Sequence, residues 1–280
     1  MGRRLGALAS VLLLAGCAFP GTVQARAFTT GFKAGDTIRY RLHTNLSGSL
    51  LVGSQQVPLN SDQILTQVLD VVSVDGAGTA TVKVTTEDVT GEAIGGTAGG
   101  KPGPVSLEIG PDGRIKSGAA TQLSGRVPAI PGSDQLTPVL AGHAVKPGDS
   151  WDKEYSRPNP FGAGGFSFTA QNRYVRDETV GGRAAAVIDT TLKGPIDFTI
   201  DFSRLPASGA TPATTAPIRY TGSIRSTRRY WLDLAGDQVL KSTGSGTYRL
   251  SYAITPPAGQ AGGTQQVDFN GEIKSELTRI

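Results

Sequence analysis

Short stretches of the sequence are echoed later in the chain, in the same order, and this echo constrains the fold more than any other feature. "FKAGDTIRY" from Phe32 is answered by "VKPGDSWDKEY" from Val145, and "GTATVKVTTE" from Gly78 by "RAAAVIDTTL" from Arg183. Each stretch joins a turn to a run of alternating apolar and polar residues, which is the pattern of a half-buried strand. Turns this short connect antiparallel strands and leave no room for crossover helices. The chain is therefore predicted to be mainly β.

A third echo extends the repeat to a hairpin in each half. Residues 106–117, "SLEIGPDGRIKS", align without a gap with residues 231–242, "WLDLAGDQVLKS". The echoes predict two similar antiparallel meanders, over residues 31–140 and 141–280. These would form either one curved sheet or half-barrel, or two packed sheets. Because hairpins share turn residues, unrelated hairpins would also resemble one another to some degree.

Composition agrees with a chain of many strands and turns. The 280 residues include 38 Gly and 17 Pro, and only 6% are aromatic. One helix is expected in the segment between the two halves, where Ser133 or Asp134 is suited to cap its start and Gly142 to end it. We place this short helix near residues 133–140.

The first residues have the pattern of an export signal. Arg3 and Arg4 precede an apolar run over residues 5–16. This run is shorter than the roughly 20 residues that a membrane-spanning helix needs, and its length is typical of the core of a signal peptide. Residues 1–16 are therefore predicted to be a signal peptide.

The sole cysteine of the chain follows this run in the sequence Leu14-Ala15-Gly16-Cys17. The tetrapeptide resembles the lipobox of bacterial lipoproteins, in which the thiol receives a diacylglyceryl group and the peptidase cuts before the cysteine. The resemblance implies that Cys17 is the lipid attachment site, carrying acyl chains such as palmitate. It also implies that residues 17–30 are a lipidated tether and that the membrane is a partner. In a cell with two membranes, the anchor would lie in the outer membrane.

A second processing site competes with the lipobox. Val23-Gln24-Ala25 fits the small-x-small pattern of ordinary signal peptidases, and a cut after Ala25 would yield a free secreted protein that starts at Arg26. With one cysteine, a disulfide framework and a cysteine zinc site are both excluded.

Motifs for catalysis, metals and cofactors are incomplete. The two histidines, His43 and His143, cannot form a three-histidine metal site, and no HExxH or GxSxG motif is present. Gly95 to Lys101 begins like a P-loop, but Pro102 occupies the place of the magnesium-binding Ser or Thr. We expect no metal, no cofactor and no catalytic residue.

Charge argues against a nucleic-acid partner. Without Arg3 and Arg4, 25 basic residues stand against 23 acidic ones, so the net charge of the exported chain is about +2.

Two acidic residues leave one alternative function open. Asp197 and Asp201 lie on one face of a predicted strand, so a hydrolase that uses paired carboxylates remains a less favoured hypothesis.

Aromatic residues of the second half provide the candidate ligand-binding residues. Tyr230 and Trp231 follow several arginines and could face an anionic headgroup or glycan, and Phe166 and Phe168 lie two apart on one strand face. We expect some aromatics to be partly exposed on one concave face: Phe161, Phe166, Phe168, Phe198, Phe202 and Trp231. The alternative is that they fill an ordinary core.

The stretch "RRYWLDLAGDQVLKSTG", residues 228–244, resembles the W-x-D hairpins of envelope lipid carriers of the LolA and LppX kind. This resemblance implies a curved half-barrel that holds acyl chains, although those carriers have helices over the concave face that this sequence largely lacks. We therefore expect a non-catalytic, lipid-anchored envelope protein that binds an amphipathic ligand, such as a lipid or glycan, or an envelope protein. The main alternative is an assembly module of the envelope without a small-molecule ligand.

Overall fold

The computed structural model describes residues 24–92, 103–118, 135–159, 163–201, 217–254 and 263–280. These residues form eleven β-strands and no helix. The strands are β1 (Thr37–Val52), β2 (Gln55–Val74), β3 (Ala80–Glu92), β4 (Val105–Ile109), β5 (Ile115–Gly118), β6 (Ser150–Pro158), β7 (Gly165–Val180), β8 (Arg183–Ile200), β9 (Ile218–Asp233), β10 (Val239–Ile254) and β11 (Gln265–Arg279).

All strands belong to one antiparallel sheet, in the order β5-β4-β3-β2-β1-β11-β10-β9-β8-β7-β6. The prediction of a mainly β, antiparallel fold in one curved sheet is confirmed. Neither two packed sheets nor two separate halves are found among the described strands. The reason is that β11 pairs with β1 from Val52 opposite Val267 to Tyr40 opposite Arg279, which joins both stretches of chain into a single sheet.

The echoed Lys-x-Gly-Asp turns have the same hydrogen bonds. The Asp36 N–H donates to the Lys33 carbonyl, and the Lys33 N–H donates to the Asp36 carboxylate at 3.2 Å. Asp149 and Lys146 form the same two bonds, the second at 2.9 Å. The sequence echo thus has a structural counterpart at the start of β1 and of β6.

The echoed hairpins differ in detail. In the β4–β5 turn the residue with positive φ is Gly113, at 80°, whereas in the β9–β10 turn it is Asp237, at 53°. In the ungapped alignment Asp237 corresponds to Asp112, so the left-handed residue is displaced by one position. The proposal that residues 31–140 and 141–280 superpose strand for strand stays a prediction.

Alternation along the strands buries one face of the sheet, which we call the inner face. Two core clusters lie on it. The first combines side chains of both edge strands, Ile115 of β5 and Trp151 of β6, so the sheet curves until its edges approach one another and the inner face is concave. The first cluster also includes Ile38, Leu42, Leu69, Tyr174, Tyr230 and Leu277. The second cluster, toward the other end of the strands, includes Leu46, Phe166, Phe168, Leu192, Phe198, Tyr220 and Phe269.

The predicted helix near residues 133–140 is wrong over residues 135–140, which are not helical; Ser133 and Asp134 lie outside the described residues. The physical reason lies in Pro138. It has no N–H to donate, and its ring disfavours helical backbone at the preceding residue, Thr137.

Instead, residues 135–141 form a segment on the inner face that we call the strap. The Gln135 side-chain amide and the Thr137 hydroxyl both donate to the Gly113 carbonyl oxygen, at 2.7 and 3.0 Å. The Leu140 N–H donates to the Asp112 carbonyl at 2.8 Å. These tertiary hydrogen bonds replace those a helix would have made.

The predicted tether, residues 17–30, requires a correction at its C-terminal end. Arg26 and Val145 exchange two backbone hydrogen bonds, at 2.8 and 2.9 Å. Phe28 is buried and packs edge-to-face against Tyr174 with 5.3 Å between ring centroids. Residues 26–30 therefore belong to the folded body, because Arg26 forms backbone hydrogen bonds with Val145 and Phe28 is buried against Tyr174.

The predicted signal peptide and Cys17 fall on residues 1–23, which lie outside the described residues. Within the described ranges, no helix has the length and apolar character needed to cross a bilayer.

Candidate ligand-binding face

A row of six polar residues and one glycine crosses the inner face between the two core clusters. Its members stand directly opposite one another on seven neighbouring strands, from β2 to β7 through β1 and β11, which we call the polar row: Gln63, Thr44, Ser275, Gly244, Arg228, Thr190 and Asn172. The inner face therefore has a polar middle between two apolar ends.

Arg228 is the charged member of the polar row. It is half-buried and donates to the Gln135 carbonyl at 3.1 Å and to the Ser275 hydroxyl at 2.9 Å. Its guanidinium also lies 5.9 Å from the ring centroid of Tyr230. Within the described ranges, Arg228 forms no ion pair with a carboxylate. A half-buried cation paired only with neutral groups attracts an anionic or strongly polar group of a ligand.

The strap is fixed to both sides of the sheet at this level. The Tyr230 hydroxyl donates to the Gln135 carbonyl at 3.3 Å, and the Trp151 indole N–H donates to the Val139 carbonyl at 2.8 Å. Burial raises the pKa of the Tyr230 phenol, so this hydroxyl keeps its proton and remains a donor. The strap therefore closes the first core cluster, and Val139 alone of its residues joins the second.

Aromatic rings form a continuous series of ring contacts in the second core cluster. Phe166 packs against Phe168 and Phe198, Phe198 stacks on Tyr220 at 5.2 Å, and Tyr220 packs against Tyr252 at 4.8 Å. Phe166, Phe168 and Phe198 are each only 4% exposed, so none of these three is among the partly exposed aromatics that the sequence predicts. They fill the second core cluster; Phe161 and Phe202 lie outside the described residues.

Accessible apolar surface lies instead on the neighbouring strands. We call seven inner-face residues of these strands the apolar strip: Val57, Leu59, Leu50, Ile273, Leu250, Tyr252 and Ile254. Val57 is 45% exposed, and the other six are half-buried. Val57 stands opposite Leu50, and Phe269 stands between Leu50 and Leu250, so the strip is continuous across β2, β1, β11 and β10.

The two predicted aromatic residues of β9 point to opposite faces. Tyr230 is buried on the inner face, whereas Trp231 is half-buried on the outer face. Trp231 donates its indole N–H to the Glu178 carboxylate. This hydrogen bond lowers the pKa of Glu178 most, and the hydrogen bond from Arg176 lowers it further. Lys241 lies 5.9 Å from the Trp231 ring centroid. Trp231 is thus part of an outer-face network rather than of the inner-face site.

The other candidate residues lie apart from one another. His43 contacts Asp62, with 2.6 Å between Nε2 and Oδ1, and His143 is exposed. Asp197 accepts two hydrogen bonds from Arg219, each 2.8 Å long, and these bonds lower its pKa. A carboxylate held in the charged form by arginine is poorly suited to act as a general acid. Among the described residues, no group of three or more His, Cys, Asp or Glu side chains could hold a metal ion.

Sequence reasoning missed both the polar row and the apolar strip. The signal for the strip lies in the alternation of β10, where Tyr248, Leu250, Tyr252 and Ile254 recur at every second position. The polar row has no such local signal, because its members come from seven strands that only the register brings together.

The fold and this face define a class: an all-β protein built on a single curved antiparallel sheet with an amphipathic inner face. No protein-family model matches the chain, and no curated protein does. Several solved structures align with it, among them the following two. A DUF1329 family protein from Desulfovibrio piger has 7% identity and a TM-score of 0.20, with 84% of each chain covered. OccK2 (OpdF) of Pseudomonas aeruginosa, in complex with glucuronate, has 8% identity and a TM-score of 0.21, with 92% of this chain and 100% of that chain covered. At these values neither likeness assigns a fold or a function to this protein.

Proposed function

We propose that this protein is a lipid-anchored, non-catalytic protein of the bacterial cell envelope that binds an amphipathic ligand on the inner face of its sheet. The observation that carries the proposal is the apolar strip beside the polar row. One face of the sheet thus offers apolar surface and, further along the same strands, a half-buried arginine.

The dimensions of the inner face suit a molecule with an apolar chain and a polar end. The strip crosses four strands, about 15 Å, and its row at Leu50 lies six residues, about 20 Å, from the polar row at Thr44. An acyl chain placed along these strands would bury apolar surface at about 25 cal/mol per Å². Its polar end would reach Arg228, whose guanidinium suits a carboxylate or a phosphate.

The anchor rests on the resemblance of Leu14-Ala15-Gly16-Cys17 to a lipobox. Acyl chains on Cys17 would give stable attachment, because each buried CH₂ contributes about 0.8 kcal/mol. Residues 26–30 are docked on the folded body, so the segment that would link Cys17 to this body ends before Arg26.

Analysis of the protein purified from its own envelope tests the proposal. Native mass spectrometry and lipid extraction of the full chain should reveal a stoichiometric amphipathic molecule that is not covalently bound. Recovery of a stoichiometric protein partner with no lipid would contradict ligand binding and support the assembly-module alternative.

A further inference from the structure

The outer face of the sheet carries a groove of about 900 Å³ across β6, β7, β8 and β9. Its volume falls in the range of small-molecule sites, about 300–1,000 Å³. The side chains that line it stand at outer-face positions of the four strands: Glu154, Ser156, Ser167, Thr169, Lys193, Pro195, Ser223 and Arg225. The groove is therefore separate from the inner-face site of the proposed function.

Two cations stand directly opposite one another in this groove. Lys193 of β8 pairs with Arg225 of β9 in the sheet register, which places their Cβ atoms about 5 Å apart. Like charges in this position destabilise a sheet. The Lys193 ammonium donates to the Gln171 side-chain oxygen at 2.9 Å, and within the described ranges neither cation forms an ion pair with a carboxylate.

The neighbours of this cation pair on the outer face supply no negative charge. The positions directly or diagonally beside it on β7, β8, β9 and β10 are hydroxyl, amide, proline or arginine residues: Ser167, Thr169, Gln171, Thr191, Pro195, Ser223, Thr227, Ser245, Thr247 and Arg249. Of the residues outside the described ranges, Asp134 is the only acid.

Several other cations of the same face are neutralised, whereas Lys193 and Arg225 stand opposite one another with no ion pair in the described ranges. Arg219 forms a bidentate pair with Asp197, Arg229 does the same with Asp189, and Lys241 contacts Glu276 at 2.7 Å. The uncompensated charge of Lys193 and Arg225 therefore calls for an anion from outside the chain.

The other end of the groove has the opposite character. Glu154 stands opposite Thr169, two strands and about 10 Å from Lys193. A carboxylate there repels a second anionic group but accepts hydrogen bonds from hydroxyls. Ser156 and Ser167, which stand opposite one another on β6 and β7, add groups that both donate and accept.

We propose that this outer groove binds a phosphorylated saccharide, with the phosphate on Lys193 and Arg225 and the sugar hydroxyls toward Glu154 and the serines. A phosphate monoester carries a charge of about −1.5 to −2, which matches two cations better than the single charge of a carboxylate. The neutral, hydroxyl-rich remainder of the ligand matches the acidic end of the groove better than a polyanion does.

Isothermal titration calorimetry of the full chain with glucose 1-phosphate, inorganic phosphate and glucose tests this proposal. Glucose 1-phosphate should bind the wild type, and the double variant Lys193→Gln/Arg225→Gln should weaken this binding at least about tenfold. The matched control, Arg219→Gln/Arg229→Gln, removes the same charge from the same face and should change the affinity less than about twofold. The thermal midpoint of the Lys193→Gln/Arg225→Gln variant should not fall, because the substitutions remove a repulsion.

A third variant separates the sugar from the phosphate. Glu154→Gln should change the affinity for glucose 1-phosphate much more than the affinity for inorganic phosphate. Absence of glucose 1-phosphate binding, or equal loss in both double variants, would overturn the site. Equal affinity for inorganic phosphate and glucose 1-phosphate would overturn the saccharide part.

Discussion

At the scale of single residues, the fold depends on close approaches that particular side chains permit. Gly31 illustrates this, because its φ is +63° and an added Cβ would collide with the Gly236 carbonyl oxygen. Thr29, two residues earlier, donates from its N–H and hydroxyl to the Asp237 carboxylate, at 3.2 and 3.3 Å. Gly31 therefore lets the N-terminal segment lie directly on the β9–β10 turn.

Gly31→Ala should lower the free energy of unfolding by more than Gly53→Ala does. Gly53 has nearly the same φ, +60°, but an added Cβ there meets nothing within 4 Å. Gly53→Ala should therefore cost only the backbone strain, about 1 kcal/mol, whereas Gly31→Ala adds a steric clash of about 1–3 kcal/mol. Urea unfolding of both variants measures the difference, and equal losses would contradict the close packing at Gly236.

Trp231→Phe should raise the pKa of Glu178, because the substitution removes the indole N–H that lowers it most. Two-dimensional NMR of the side-chain carboxyl carbons over a pH titration measures this value. The pKa of Asp197, which Arg219 lowers, provides the internal control and should not move. An unchanged Glu178 titration would show that the outer-face bond does not persist in solution.

At the scale of elements, the strap is the segment for which the sequence predicts the wrong structure. Ser133, Asp134 and Gly142 have the chemistry of helix caps, yet Pro138 prevents a helix between them, and the Gly113 carbonyl receives the donors of Gln135 and Thr137. The strands were predictable because period-2 alternation needs only local sequence. The strap was not, because its hydrogen bonds join residues that are distant along the chain.

Arg228→Met should loosen the strap. Two charge-assisted hydrogen bonds, to Gln135 and Ser275, are lost, and we expect the free energy of unfolding to fall by about 2 kcal/mol. Hydrogen exchange at the Leu140 amide, which donates to Asp112, should become faster. The control Arg249→Met removes an exposed outer-face arginine of β10 and should have little effect on either measurement. Similar results for both variants would contradict the role of Arg228.

At the scale of the whole molecule, one curved sheet creates a face that none of its strands specifies alone. The sequence predicts antiparallel meanders and their Lys-x-Gly-Asp turns, and the structure shows the same hydrogen bonds in both turns. It does not reveal that β11 pairs with β1 and joins the two stretches of chain in one sheet, since strand order depends on contacts between the two ends of the chain. For the same reason the sequence predicts Phe166 and Phe168 as ligand-binding residues, whereas both are buried in the second core cluster.

Cys17→Ala should release the protein from the membrane fraction, and labelled palmitate should enter the wild type only. The resemblance to a lipobox implies that the Cys17 thiol accepts the lipid, and alanine has no nucleophilic side chain to do so. Fractionation of cells and lipid labelling measure both effects. If the variant is processed and sediments like the wild type, the anchor does not depend on Cys17.

The lipid content of protein purified from its own envelope, compared between two double variants, tests the central claim most directly. Leu50→Gln/Leu250→Gln places polar groups in the apolar strip, whereas Leu51→Gln/Val72→Gln replaces two aliphatic residues that are 40% and 61% exposed on the outer face. Native mass spectrometry should show the amphipathic ligand in the wild type and in Leu51→Gln/Val72→Gln, and its loss in Leu50→Gln/Leu250→Gln. Equal ligand occupancy in all three proteins, or none in the wild type, would contradict binding at the inner face.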